Sequence, residues 1–406
     1  MSKQRFRSRP SVADDLAVHL TKFIETLASA GYAEKTRHDK ERLIWHFIRW
    51  AQKKGIVTAD VDEGRVKAFL ACPSRRRYKH RTPLYQFVRY LRRAEVVPSL
   101  HSDPSPGEML MGRYVDYLRG QKGLSPYSVA VYSPFARGFV VAQRLPDNAA
   151  TLDALGVRRY LVGHGRGRSA SFVRLLAAAL RSFLRFCFVD GTTSADFSTT
   201  VLPVRRWQLA AIPSFLTADK VEHVLAVAAA KRSTSRGCRA FAILLLLARL
   251  GLRASEILAL ELDDIRWDVG EIVVRGKGRL HDRLPLLKDI GEALAHYLRD
   301  ARGPSKSRRV FLRHLAPRVG LSQPCTVAKI AREALKCAGL LPPGRVGGHI
   351  FRHSLATRMI QHGASLAEIS QVLRHRSTIT TQIYAKVEFE ALRGVALPWP
   401  TMEGLR

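Results

Sequence analysis

The sequence predicts a mainly α-helical protein, in which two small helical modules precede an α+β domain carrying a small antiparallel β-hairpin. Three observations lead there. The N-terminal half runs through one pattern of helical segments twice. Apolar residues recur at spacings of three and four, the signature of one buried helix face. Strand-like alternation is confined to one stretch, EIVVRG, a turn at Gly276 to Gly278, then RLHDRLPL.

The 406 residues suffice for two or three domains, each burying its own core, since a domain usually takes roughly 100–200 residues. The first module, residues 1–100, opens with a helix around Leu16 to Leu27 and continues through GYAEKTRHDKERLIWHFIRWAQ, DVDEGRVKAFL and PLYQFVRYLRRAEVV. Leu43, Phe47 and Trp50 share a face, and Thr36 marks a helix start. The second, residues 108–190, repeats the pattern as MGRYVDYLRG, GLSPYSVAVYSPFARGFVVAQ, LDALGVRRYLVG and SASFVRLLAAALRSFLRFCFVDG. Here Ser125 before Pro126 marks a helix start, and Leu176, Leu180, Phe183 and Leu184 line one face. The Pro-, Ser- and Gly-rich run from Pro98 to Glu108 reads as a linker, as does 191–211. The third domain is expected over 212–390. A tail over 391–406 contains Pro398, Trp399 and Pro400, which exclude an ordinary helix interior.

Charge narrows the function. Lys and Arg number 67 against 34 Asp and Glu, a net charge of +33. A surface this positive repels itself and calls for a polyanion, of which nucleic acid fits best. Basic residues line both modules, among them Arg89, Arg92, Arg93, Arg158, Arg159, Arg166 and Arg168, as the distributed charge of a phosphate backbone requires. The longest apolar stretch, Ala240 to Leu247, falls far short of the roughly 20 residues a bilayer demands, so no membrane partner is expected. The N-terminus MSKQRFRSRP has no apolar core of a secretory signal, which points to the cytoplasm and the nucleoid. Cys72, Cys187, Cys238, Cys325 and Cys337 are scattered and odd in number, as reduced thiols are. Cys325, Cys337, His349 and His353 stand in a zinc-like order, but their spacing is wrong for it, so no metal is expected.

Four separated segments hold residues that make chemical sense together: Arg253 in LARLGLRASEILAL, Lys277 in VVRGKGRLHDRLPL, His349 and Arg352 in GGHIFRHSLATRM, and His375 with Tyr384 in VLRHRSTITTQIYAKV. In this order they resemble the tyrosine recombinase family, also called the phage integrase family. The resemblance spans roughly Ile212 to Val387, and the second module looks like the family's core-binding domain.

The resemblance implies a site-specific DNA recombinase working through a covalent 3′-phosphotyrosine in the service of a mobile element. Tyr384 would be the nucleophile, Arg253 and Arg352 would hold the scissile phosphate, Lys277 would be the general acid, and His349 and His375 would assist. Glu256 sits where the family often has a supporting acidic residue. The implied partner is double-stranded DNA with specific recombination sites, bound by a homotetramer, with room for partner recombinases and with no cofactor. Two departures stand out: Arg374 occupies the place of a glycine common before His375, and the module Ser11 to Val97 exceeds the minimal family plan. The extra module would bind accessory DNA sites or lengthen the grip, and the tail would dock on a neighbouring subunit.

The chemistry agrees with this. Guanidinium groups clamp the non-bridging oxygens of a phosphate bidentately, which lysine cannot do. A tyrosine, with an ordinary pKa of about 10, needs a base or a positive field, which His349 or the arginines can supply. The leaving 5′-oxygen needs a proton, and Lys277 can give one. No phosphate-cradling Gly-rich loop is present, and none is needed when bond energy is kept in a phosphotyrosine. His353, one residue from Arg352 and hence on another helix face, reads as structural, as does His362. Two competing classes are a DNA-binding regulatory or architectural protein that keeps this fold without strand transfer, and a metal-dependent nuclease or transposase using Asp263 and Asp264, which lack an evident third partner.

Overall fold

The computed structural model describes residues 12–72, 81–98, 104–147, 149–203, 214–276, 281–344, 346–375, 381 and 383–384. It divides into two compact units, Met1–Val97 with Leu209–Arg406, and Pro98–Gln208. The fold is mainly helical with one small antiparallel sheet.

In the first unit, α1 (Val12–Ser29), α2 (Glu34–Lys53), α3 (Glu63–Ala71) and α4 (Thr82–Arg93) close around Leu20, Phe23, Phe47, Ile48, Phe69 and Phe87. Phe47 meets Phe69 edge-on at 5.4 Å, the preferred contact of two quadrupolar rings. Thr36 lies inside α2 and does not start it: the helix begins at Glu34 after Ala33, which offers no side-chain cap. The carboxylate at Glu34 suits the helix's positive end instead.

The second unit holds α5 (Pro106–Gly120), α6 (Pro126–Gln143), α7 (Ala154–Gly165) and α8 (Ala170–Val189). Ser105 and Glu108 form a reciprocal capping box, so the helix starts inside the stretch expected to be linker. Ser125 caps α6 by accepting from the Ser128 amide at 3.2 Å, and Pro126 takes the first helical position. Tyr114, Phe139, Leu180 and Phe183 are wholly buried at its centre. Residues 191–203, expected to open a linker, pack on this module: Thr193 and Val201 are buried, and Arg181 donates to the Val201 carbonyl at 2.9 Å.

The C-terminal domain is built on α10 (Ser235–Arg249), whose run Ala242 to Ala248 is buried throughout. Around it lie α9 (Ala218–Ala229), α11 (Ala254–Ala259), α12 (Lys288–His296), α13 (Pro324–Cys337) and α14 (His349–Gln361), with α15 (Leu366–Val372) against α14. An apolar helix needs a partner on every face, and α10 finds one in α9, α12, α13 and α14. The sheet runs β1 (Ile265–Arg266), β2 (Glu271–Arg275), β3 (His281–Pro285), all antiparallel, with Val273 opposite Arg283 and Arg275 opposite His281. The expected hairpin is β2 and β3, Ile272 and Val274 facing the core; β1 adds a third strand. Lys277 falls in the connection between β2 and β3, outside the described residues. Among the described residues no helix is long and apolar enough to cross a membrane.

Leu246, fully buried at the middle of α10, tests how far this domain leans on that helix. Leu246→Ala should cost about 2–5 kcal/mol in a urea melt, the transfer term plus the cavity left behind.

Candidate active site

The site begins where α10 ends. Gly251 has φ +56°, and a Cβ there would meet Leu373 at 2.9 Å and Leu355 at 3.1 Å, so only glycine lets the chain turn this tightly under those side chains. Its carbonyl accepts from Arg352, and a second guanidinium nitrogen of Arg352 donates to the Leu373 carbonyl. Arg352 is 3% exposed on α14. Burial and the neighbouring Arg253 charge draw its pKa down to about 10, which leaves a full cation at neutral pH.

Arg253 stands immediately before α11, and the first turn of that helix fixes it. Its amide donates to Glu256 Oε2 at 2.8 Å, while Nη1 donates to Oε1 at 2.7 Å. Nη2 reaches the Arg374 carbonyl at 3.1 Å. The side chain keeps 34% of its surface exposed, so a ligand can reach it. Glu256 is buried, which by itself raises its pKa, but the Arg374 and Arg253 charges outweigh this and hold the carboxyl below its ordinary range.

The turn before His375 differs from that of a glycine only in what it carries. Arg374 adopts φ +53°, a left-handed conformation that costs an L-residue about 1–2 kcal/mol. Its guanidinium is buried: Nη2 donates to Glu256 Oε2 at 3.0 Å and Nε lies 3.9 Å from Asp282 of β3.

Tyr384 is 1% exposed, packed with Leu355, Ala356, Ile360, Ile369 and Leu373. Its hydroxyl lies 2.8 Å from Nδ1 of His353. Burial pushes the phenol up to about 12 although Arg352 and Arg253 pull it down, so it is protonated at neutral pH and donates to the histidine. His353 is drawn down to about 4 by burial and by His349 and Arg352, and is therefore a neutral acceptor. The His375 ring lies parallel to Tyr384 at 6.3 Å, with Nδ1 2.8 Å from Thr381 Oγ1, and burial with the Arg352 and Arg253 charges brings it to about 4 as well. His349, lowered by burial and then by the same arginines, lies 6.3 Å from the His353 ring.

Arg253, Glu256, His349, Arg352, His375 and Tyr384 thus converge, their charges acting on one another. The sequence reading set His353 aside as structural; in the fold its ring nitrogen lies at hydrogen-bond distance from the Tyr384 hydroxyl. The face argument placed it rightly apart from Arg352, but Tyr384 arrives from a different segment and meets that other face. The signal available was a histidine beside an arginine at a helix start. Among the described residues no three His, Cys, Asp or Glu side chains gather as metal ligands.

Residues 214–391 match the model of the phage integrase family. Over 393 residues the chain is 37% identical to the putative integrase/recombinase y4rA of Sinorhizobium fredii, covering 95% of both chains. It is 31% identical to the tyrosine recombinase XerD of Listeria monocytogenes, over 70% of this chain and 96% of XerD. Its fold is similar to that of the XerH site-specific recombinase, solved with its palindromic difH substrate after cleavage, at a TM-score of 0.53 and 19% identity over 73% of this chain and 97% of XerH. The chain belongs to the phage integrase family, the tyrosine recombinases.

Gly251→Ala should lower the melting temperature and slow any reaction that uses Arg352, because the new methyl displaces the carbonyl that holds it; a silent substitution in both measurements would show that this contact is dispensable. His353 and His375 predict a pH dependence. Held near 4 when folded against an ordinary value of about 6.5, they make the unfolded chain bind more protons between those limits. Stability should therefore rise with pH from about 4 to about 6.5. Melts at pH 5 and pH 7 check this, with His353→Asn expected to flatten the slope.

Proposed function

We propose that this protein is a site-specific DNA recombinase that cuts and rejoins strands through a covalent 3′-phosphotyrosine at Tyr384. The observation that carries the proposal is the hydrogen bond from the Tyr384 hydroxyl to the neutral His353, beside the buried Arg352 cation.

Arg253 and Arg352 take the non-bridging oxygens of the scissile phosphate, where charge grows in the transition state. His353 accepts the phenol proton as Tyr384 Oη bonds to phosphorus. The bond from phosphorus to the 5′-oxygen breaks, and Lys277 gives the leaving oxygen its proton. His349 and His375 shape the field, and Glu256 fixes Arg253. In the second step the 5′-hydroxyl of a partner strand returns its proton to Lys277 as it attacks the phosphotyrosine, the bond from phosphorus to Tyr384 Oη breaks, and Tyr384 recovers its proton from His353. The phosphodiester energy is conserved, so the reaction calls for neither a nucleotide cofactor nor a metal.

Exchange between two duplex sites requires four cleavages, which a homotetramer on paired recombination sites supplies. The net charge of +33 supports distributed backbone contact by the helical modules. XerH, of similar fold, was solved on its palindromic difH substrate. The integrase/recombinase name of the Sinorhizobium relative supports service to a mobile element, acting on DNA in the nucleoid. The module preceding residue 98 then lengthens the grip on DNA.

A nicked suicide substrate incubated with the protein in EDTA should yield a protein–DNA adduct that survives denaturation. Tyr384→Phe should yield none. Arg352→Ala should slow cleavage by about 100-fold or more with DNA binding largely retained, and His353→Gln should slow it by about 100-fold at neutral pH. A metal requirement, or an adduct formed by the Phe variant, would sink the mechanism.

A further inference from the structure

Arg374 is charged, buried and held in a backbone conformation that glycine adopts freely and arginine does not. A chain that needed only the turn would carry glycine here. What the arginine adds is a set of contacts. Its Nη2 lies 3.0 Å from Glu256 Oε2, the same oxygen that accepts from the Arg253 amide at 2.8 Å. Its Nη1 donates to the Val372 carbonyl at 3.1 Å, bracing the guanidinium against its own turn. Its Nε makes no hydrogen bond among the described residues and faces Asp282 of β3 at 3.9 Å. Its carbonyl accepts from Arg253 Nη2. The residue therefore holds Arg253 twice, through the main chain and through a shared carboxylate, and it also reaches from that carboxylate to the hairpin strand.

We propose that Arg374 is a positioning residue for strand cleavage, which locks Glu256 against Arg253 and ties this pair through Asp282 to the β2–β3 hairpin. The inference rests on the recombinase function proposed above. Two elements that must act on one phosphate, the Arg253 turn and the hairpin whose connection contains Lys277, are thereby held in a fixed relation. Without the side chain, Glu256 keeps Arg253 as its near cation, with Arg352 beyond, and loses the charge that most opposes its protonation. The acid limb of the cleavage profile then moves to higher pH.

The experiment uses the full chain and three variants. Arg374→Gly removes the side chain and relaxes the turn; Arg374→Lys keeps a cation; Asp282→Asn removes the hairpin end of the link. Arg374→Gly should melt no lower than the parent, bind DNA with unchanged affinity, and cleave about 10- to 100-fold more slowly, with its acid limb shifted upward. Arg374→Lys should recover part of the rate. The double variant with Asp282→Asn should lose little beyond Arg374→Gly alone, since both break one link.

Hydrogen exchange supplies a readout independent of chemistry. Arg374→Gly should speed amide exchange across Glu271–Arg275, His281–Pro285 and the first turn of α11. Unchanged exchange there, cleavage within about twofold of the parent, or additive losses in the double variant would each overturn the proposal. Should the parent form no adduct at all, the recombinase function falls, and the exchange measurement still decides the role of Arg374. Should Arg374→Gly unfold, Arg374→Lys and Asp282→Asn carry the same exchange and rate comparisons.

Discussion

Arg352 keeps its charge in a buried place with backbone carbonyls, not a carboxylate, accepting its hydrogen bonds. A carboxylate would satisfy the guanidinium and cancel it; a carbonyl dipole satisfies it and leaves the field in place. The two carbonyls belong to Gly251, ahead of α11, and Leu373, just past α15, so one side chain on α14 ties three segments together. The positions of Arg253, Arg374 and His375 follow, since each lies within two residues of those carbonyls. The histidines are lowered first by burial and then by this field, which also pulls the phenol down against the burial that raises it.

Glu256 obeys the opposite logic. It is the buried anion of the site, and it is shared between Arg253 and Arg374. Sharing matters because a carboxylate paired with Arg253 alone would neutralise the group assigned to phosphate in the proposed function, whereas two guanidinium groups on one carboxylate leave a net positive charge. Burial strengthens this economy by removing the solvent that would otherwise screen it.

Much of this was legible in the sequence, and the rest was hidden for physical reasons. The helices announced themselves through apolar periodicity, and the hairpin through alternation at Ile272 and Val274. A two-residue strand such as β1 has no alternation to read. Residues 191–203 look like linker because Gly, Thr and Ser dominate them, yet Val201 is buried against the module. Arg253, Arg352 and Tyr384 could be picked out by their order along the chain, and the structure brings them together. The His353 contact could not, since helical spacing tells which residues share a face and not which distant segment arrives at another. Arg374 was visible only as the missing glycine; its buried contacts with Glu256 and Asp282 depend on three elements meeting in space.

Tyr384 has two occupations that pull against each other. It is among the largest fully buried side chains of the described residues, filling the space between α14 and α15 with Leu355, Ile360 and Leu373. Moving its ring toward a phosphate would open a void in that small cluster, and voids lined by apolar groups are unfavourable. In the recombinase proposed above, an idle molecule would thus keep the Tyr384 oxygen out of reach of chance encounters with duplex, water or electrophile.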